Sequence, residues 1–143
     1  MANEARKIQM AQIKLQKSLN NFVVEMGTEA KNHFVKSFRN QGFEDKSIVK
    51  WKHRKRLEQG KSRAILVKSG DLRRSIRVIN KSYRSITLGS DLPYAQIHND
   101  GLNGRAFGKY AFKMPKRQFI GHSTKLIDHL RSKLDKRIQN VFK

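Results

Sequence analysis

The sequence predicts an α+β domain: a small antiparallel sheet flanked by a long N-terminal helix and a C-terminal helix. Three observations lead there. Apolar residues recur at three- and four-residue steps from residue 2 to about 39, and again after residue 122. Between these stretches the pattern shortens to alternation over four to six residues, broken by Gly, Pro and Asn-Asp punctuation. At 143 residues the chain is long enough for one core and too short for two, so residues 1–143 are read as a single domain.

The first helix, residues 1–39, carries Ile8, Leu15, Leu19, Phe22, Val23, Met26, Ala30, Phe34 and Phe38 on one stripe, with charge elsewhere. Gly27 costs about 1 kcal/mol against alanine inside a helix, so a bend or break is expected near Gly27 and Thr28. The stripe either packs on the domain's own sheet or meets another subunit. Residues 40–63 open with the helix-stop pair Gln41-Gly42 and show little periodicity; seven basic residues and one acid, Glu58, lie between Lys50 and Arg63. Here a basic loop can track phosphates with Trp51 as an apolar anchor, or it is a solvated loop whose Trp51 caps the core.

Residues 64–121 hold the sheet. Ser69 is placed to cap a helical turn through Gly70, Asp71 and Leu72. A hairpin follows, with Ser75–Asn80 returning along Ser85–Gly89, Ile86 and Leu88 inward, and an exposed basic tip. Leu92–Asn99 reads as a short helix with Pro93 in its first position, ended by Asp100-Gly101. The Gly-rich run 101–108 reads as a mobile loop, and Tyr110, Phe112 and Met114 alternate as a strand closed by Pro115. Residues 122–143 form the last helix, beginning at Ser123 or Thr124, with Ile127, Leu130, Leu134, Ile138 and Val141 on one face. The basic Lys136, Arg137 and Lys143 lie toward its negative end.

The balance of 32 Lys and Arg against 11 Asp and Glu gives a formal charge of +21, which implies a polyanionic or acidic partner without choosing among them. The absence of cysteine excludes disulfides, thiolate zinc sites and a Cys nucleophile. No apolar run approaches the roughly 18 to 20 residues that span a bilayer, and the charged start lacks the pattern of a secretory signal. A soluble chain made in the cytoplasm, with no membrane partner, is expected.

Catalytic chemistry has little to stand on. His98, Asp71, Asp91 and Asp100 are scattered singly, without the carboxylate cluster a metal-dependent nuclease needs. The histidines, His122 and His129 included, show no zinc spacing. The glycines of 101–108 lack the ending of a phosphate-binding loop. No catalytic residue, metal or cofactor is expected.

Four phrases nonetheless stand in order: ILVKSGDLRRSI from Ile65, the strand pair, LPYAQIHNDG from Leu92, and MPKRQFIG ending at Gly121. Together they resemble the virion morphogenesis (tail completion) family of tailed bacteriophages. The resemblance covers about the last 80 residues well. It maps the SG-x-L element to Ser69, Gly70 and Leu72, the helix phrase to Tyr94, Ala95, His98 and Asn99, and the last phrase to Met114, Pro115, Arg117, Phe119 and Gly121. These would be fold and assembly determinants, with Phe119 plugging the core and Arg117 exposed to an acidic neighbouring subunit. The chain departs from the family pattern at Asp100–Gly104, where a double glycine is usual, and at Gln118, where Pro is common.

The resemblance implies a structural, non-catalytic role in completing the tail and joining it to the head of a phage or prophage. A homo-oligomeric ring is expected, six copies by tail symmetry, touching tail-tube and neck or connector proteins at the head–tail interface of the virion. Lys50, Lys52, Arg54, Lys55, Arg56, Lys61 and Arg63, or the hairpin tip with Lys81 and Arg84, would then face nonspecific duplex DNA. Competing readings are a nonspecific DNA-binding module, another neck component such as a head-closure or connector protein, and a small nuclease.

Overall fold

A computed structural model describes residues 2–54 and 63–142. Lys55, Arg56 and Lys61 of the basic run therefore lie outside the described residues. The expected class is present: a long first helix, a last helix, and antiparallel strand pairs between them. The strands form three separate two-stranded ribbons rather than one sheet.

Helix α1 spans Ala2–Asn40, 39 residues, or about 58 Å at 1.5 Å per residue. Phe22, Val23, Ala30, Phe34 and Phe38 are buried along its stripe, so this part packs within the domain. Ile8, Met10 and Ile13 are 62, 52 and 57% exposed, because the buried contacts of α1 lie in its C-terminal part, from Phe22 onward. The expected break at Gly27 does not occur. Gly27 is instead a notch: a Cβ there would sit 3.2 Å from Val78 Cγ2 and 3.3 Å from Ile86 Cδ1. Those two side chains belong to strands β3 (Arg77–Lys81) and β4 (Ile86–Gly89), whose hairpin lies against α1. The missing side chain admits the hairpin, and packing outweighs the helix-propensity cost of about 1 kcal/mol.

Helix α1 stops at Gln41, which adopts φ 53. Its side chain pairs with the backbone of Ile65, Oε1 accepting from the Ile65 N–H and Nε2 donating to the Ile65 carbonyl at 3.2 Å. Its own carbonyl accepts from the Trp51 N–H at 2.8 Å. The segment read as an aperiodic loop contains strands β1 (Gly42–Glu44) and β2 (Ile48–Lys50), antiparallel with Phe43 opposite Val49. Three-residue strands are too short to display a period. Phe34, Phe38, Phe43, Trp51, Ile65, Leu72, Ile76, Ala95, Phe119 and Leu126 form the core. Phe38 meets the rings of Trp51 and Phe119 at 5.5 and 5.3 Å, and the Trp51 Nε1–H donates to the Gln118 carbonyl at 2.8 Å. Trp51 is thus a core residue.

Helix α2 (Asp71–Ser75) has Gly70 in its N-cap position, and Ser69, one residue earlier, accepts from the Asp71 N–H through its Oγ at 3.4 Å. Gly70 stands at φ 78, a left-handed conformation that suits glycine. Helix α3 (Ala95–Asp100) begins after Tyr94, leaving Pro93 in the preceding turn, where the Ala95 N–H bonds the Leu92 carbonyl. The Gly-rich run is ordered rather than a loop: β5 (Asn103–Ala106) pairs with β6 (Tyr110–Lys113), and Phe107 stands 94% exposed at the tip.

Helix α4 (Thr124–Val141) is capped by Ser123, whose Oγ accepts from the Leu126 N–H and donates to the Glu44 carbonyl at 2.8 Å. The Asp45 carboxylate accepts from the Thr124 N–H at 2.6 Å, and this bond is the main cause holding its pKa below the usual carboxylate value. The β1–β2 turn therefore seats the start of α4. Farther along, α4 runs antiparallel to α1 and turns His129, Lys133 and Arg137, four residues apart, toward Glu29 and Glu25. Arg137 faces α1 in this way, its Nη2 lying 2.6 Å from Glu25 Oε2.

Replacing Gly27 by Leu should force the β3–β4 hairpin off α1 and cost roughly 1–3 kcal/mol, the usual cost of overpacking. Gly27→Ala should be nearly neutral, since a helix gain of about 1 kcal/mol opposes the tight contact. Urea unfolding followed by circular dichroism distinguishes the two; equal midpoints for wild type and Gly27→Leu would contradict the notch.

Candidate functional site

The three phrases of residues 65–76, 92–101 and 114–121 are remote in sequence and meet around α3. Asn99 is the joint. Its Oδ1 accepts from the N–H groups of both Phe119 and Ile120, at 2.9 and 3.0 Å. The Arg117 N–H donates to the His98 carbonyl at 2.8 Å, and the Met114 N–H to the Leu102 carbonyl at 3.1 Å. The segment around Pro115 thus satisfies its backbone on α3 and the turn after it, because it has no strand partner of its own. Ala95 and Phe119 are buried on the core side of this seam, at 7 and 1% exposure.

Arg117 is not exposed, as the sequence reading expected; it is 7% exposed. Its Nε and Nη2 donate to the Lys52 carbonyl at 3.4 and 3.2 Å, which draws the guanidinium inward under residues 51–54. Burial, and then the charge of Arg54, hold its pKa below the ordinary guanidinium value. His98 stands beside it, its ring edge-on to Tyr94 at 6.1 Å. Burial, reinforced by the charge of Arg117, holds the His98 imidazole below its ordinary pKa. Its Nδ1 is shielded from solvent and has no hydrogen-bond partner among the described residues.

These groups border a cavity of about 320 Å³ lined also by Arg54, Lys68, Ser69, Gly70, Leu72 and Tyr94. Six of the phrase residues singled out from the sequence, Ser69, Gly70, Leu72, Tyr94, His98 and Arg117, therefore share one pocket. Its one acid, Asp71, is bonded to Arg74 Nη2 at 2.5 Å. The pocket is basic, with an apolar wall of Ile65, Leu66 and Leu72. Met114 and Pro115 line a separate depression with Lys52, Asp100 and Arg117, and Gly121 follows the seam at the entry to α4.

The basic residues proposed to meet DNA are held by different parts of the fold. Lys50 is exposed, but its Nζ bonds the Asn40 carbonyl at 2.7 Å, at the end of α1. Lys52 and Arg63 are exposed, while Arg54 is half-buried and bonds the Ala64 carbonyl at 3.3 Å. Lys81 and Arg84 are exposed at the β3–β4 tip, where Arg84 lies over Tyr83 at 4.9 Å. Sequence reasoning missed Gln41, Asp45, Arg54 as a pocket wall, and Lys68. Gln41 and Asp45 act on partners 24 and 79 residues away, Ile65 and Thr124, and Arg54 and Lys68 meet the other pocket residues only through the fold, so no local pattern marks them.

The model of the phage virion morphogenesis family matches residues 5–139. The chain belongs to the phage virion morphogenesis family. No curated protein and no solved structure matches it significantly. Family membership assigns the protein a structural role in assembling the phage virion and spans the pocket, all three ribbons and nearly all of both long helices. Among the described residues no helix is long and apolar enough to cross a membrane.

Asn99→Ala should leave two backbone N–H groups without an acceptor and cost on the order of 2–4 kcal/mol. Asn99→Asp, which keeps the acceptor oxygens, should lose markedly less. Urea midpoints of the two variants check this, and equal losses would mean that the paired acceptor is not what Asn99 contributes.

Proposed function

We propose that this protein completes the tail and joins it to the head of a tailed phage or prophage, acting without catalysis as a ring around the DNA path. The supporting observation is the family match over residues 5–139, joined to a shape that leaves assembly surface uncovered. The first turns of α1 carry Ile8, Met10 and Ile13 into solvent, and the β5–β6 hairpin presents Phe107. A protein that functions alone rarely leaves a long helix end and an aromatic tip without cover. Subunits of one closed ring, with six copies matching tail symmetry, would meet through such surfaces.

The charge supports a DNA path beside the ring. Six of the acids are held in ion pairs, Glu25, Glu29, Glu44, Asp71, Asp91 and Asp128, so the surplus of cations is left to face outward. Neighbours would be the tail tube on one side and neck or connector proteins on the other. The protein would be found at the head–tail interface of the virion, and in the host cytoplasm while particles assemble.

Particles assembled without this gene should show filled heads and unjoined tails by negative-stain microscopy, and adding the purified protein to that extract should restore joined, infectious particles. Normal joined particles in its absence would remove this reading and leave a DNA-binding module in its place. A head-closure role would show instead as heads that lose their DNA.

Replacing Lys52, Lys55, Arg56, Lys61 and Arg63 by Ser should weaken duplex binding irrespective of sequence. The slope of log affinity against log salt should fall by about 0.9 for each phosphate contact removed. Arg54 stays in place because it holds the Ala64 carbonyl. Unchanged affinity and slope in a filter-binding titration would take this run out of the DNA path.

A further inference from the structure

We propose that the pocket bounded by Arg54, Lys68, Tyr94, His98 and Arg117 receives an aspartate or glutamate side chain from an extended segment of a different protein. The inference stands wherever in the particle this protein acts. It rests on the geometry of the pocket and not on the ring or on DNA.

Arg117 carries the argument. Arg117 as a residue is 7% exposed, so its guanidinium is partly stripped of water, yet its two hydrogen bonds go to one neutral acceptor, the Lys52 carbonyl. Among the described residues no carboxylate pairs with it. A buried cation is ordinarily paired, because desolvation without a counter-charge is costly. A second guanidinium, Arg54, borders the same cavity, and Lys68 adds a third cation at an exposed position. The imidazole of His98 borders the same cavity beside Arg117. Three cations with one acid that is already bonded to Arg74 describe a receptor for negative charge.

Size and shape select the kind of anion. A cavity of about 320 Å³ has room for a side chain and part of its backbone. Its wall of Ile65, Leu66, Leu72 and the Tyr94 ring suits the methylene groups of a peptide. A duplex phosphate rides on a wide, rigid cylinder and is poorly shaped to reach a guanidinium so far from solvent. Arg also matches a carboxylate with two parallel hydrogen bonds.

The occupant is argued to be foreign by charge. Most acids of this chain are engaged: six in ion pairs, and Asp45 on the first turn of α4. An acidic segment of another assembly protein is attracted and steered by a chain of net charge +21.

The test uses the full chain labelled with ¹⁵N, titrated with acetyl-Leu-Glu-Leu-amide and with the matching Gln peptide. The Arg117 Nε–H and His98 ring signals should shift saturably with the Glu peptide. The Gln peptide should bind about tenfold or more weakly, the loss expected when a charge-assisted pair is removed. Arg54→Gln and Lys68→Gln should each weaken the Glu peptide severalfold while the amide spectrum remains that of the folded protein. These variants avoid Arg117, whose replacement could unfold the seam. Absence of shifts, equal shifts with both peptides, or peptide binding indifferent to Arg54 and Lys68 would overturn the proposal. A short DNA duplex that shifts the same two signals at lower concentration than the Glu peptide would also overturn it and make the pocket a phosphate site. Shifts that appear on concentrating the protein alone would assign the pocket to a second copy, equally against it.

Discussion

The contact of Phe38 with Trp51 and Phe119 is the packing on which the remaining structure depends. One ring comes from the end of α1, one from the segment after β2, and one from the segment that leads into α4. The strands and α2 that lie between the two long helices are too short to bury an apolar face alone, so they depend on this cluster. Aromatic side chains bring a large apolar area on few rotatable bonds, which suits a core assembled from such short pieces. Truncating Phe38 to alanine would cost on the order of 3–5 kcal/mol, a large share of the 5–15 kcal/mol typical of a domain.

A core of short pieces leaves many backbone groups without ladder partners, and side chains take their place. Gln41 imitates a strand neighbour for Ile65, Asn99 does so for Phe119 and Ile120, and Ser123 with Asp45 closes the start of α4. These amide, hydroxyl and carboxylate groups hold the segments in register where a continuous sheet would otherwise do so. The same economy shapes the pocket. Arg117 reaches the Lys52 carbonyl because residues 51–54 have no strand to bond, and so a cation is drawn into the fold beside His98. The segment is tied down and, at the same site, a guanidinium is left able to accept a charged partner.

The two long helices show a division along α1. From Phe22 to Phe38 its stripe belongs to the domain, and Glu25 and Glu29 pair with Lys133 and Arg137 of α4. Ion pairs at such exposed or half-exposed positions contribute little stability each, and their use is to set the antiparallel register. Toward its N-terminus the same helix continues with Ile8, Met10 and Ile13 exposed. A helix period therefore runs through both parts, though among the described residues only the C-terminal one buries its apolar stripe.

Amphipathic period, turn chemistry and the order of the phrases sufficed to read α1, α4, the β3–β4 hairpin, the α+β class and the family, because each rests on patterns between near neighbours or on the order of short phrases along the chain. Local rules failed at Gly27, where helix propensity argued for a break and the hairpin's approach required the missing side chain, and in residues 42–50 and 103–106, where strands are too short to show a period. The residues of the pocket were legible as phrase members, yet their convergence was not, and Arg117 was read as exposed. The sequence by itself determined which segments are helical, where the chain turns and that its charge is strongly positive. Only the tertiary structure decided that the three phrases share one basic pocket and that Arg117 is buried in it, because burial depends on contacts between segments up to 65 residues apart, a separation over which no local pattern carries information.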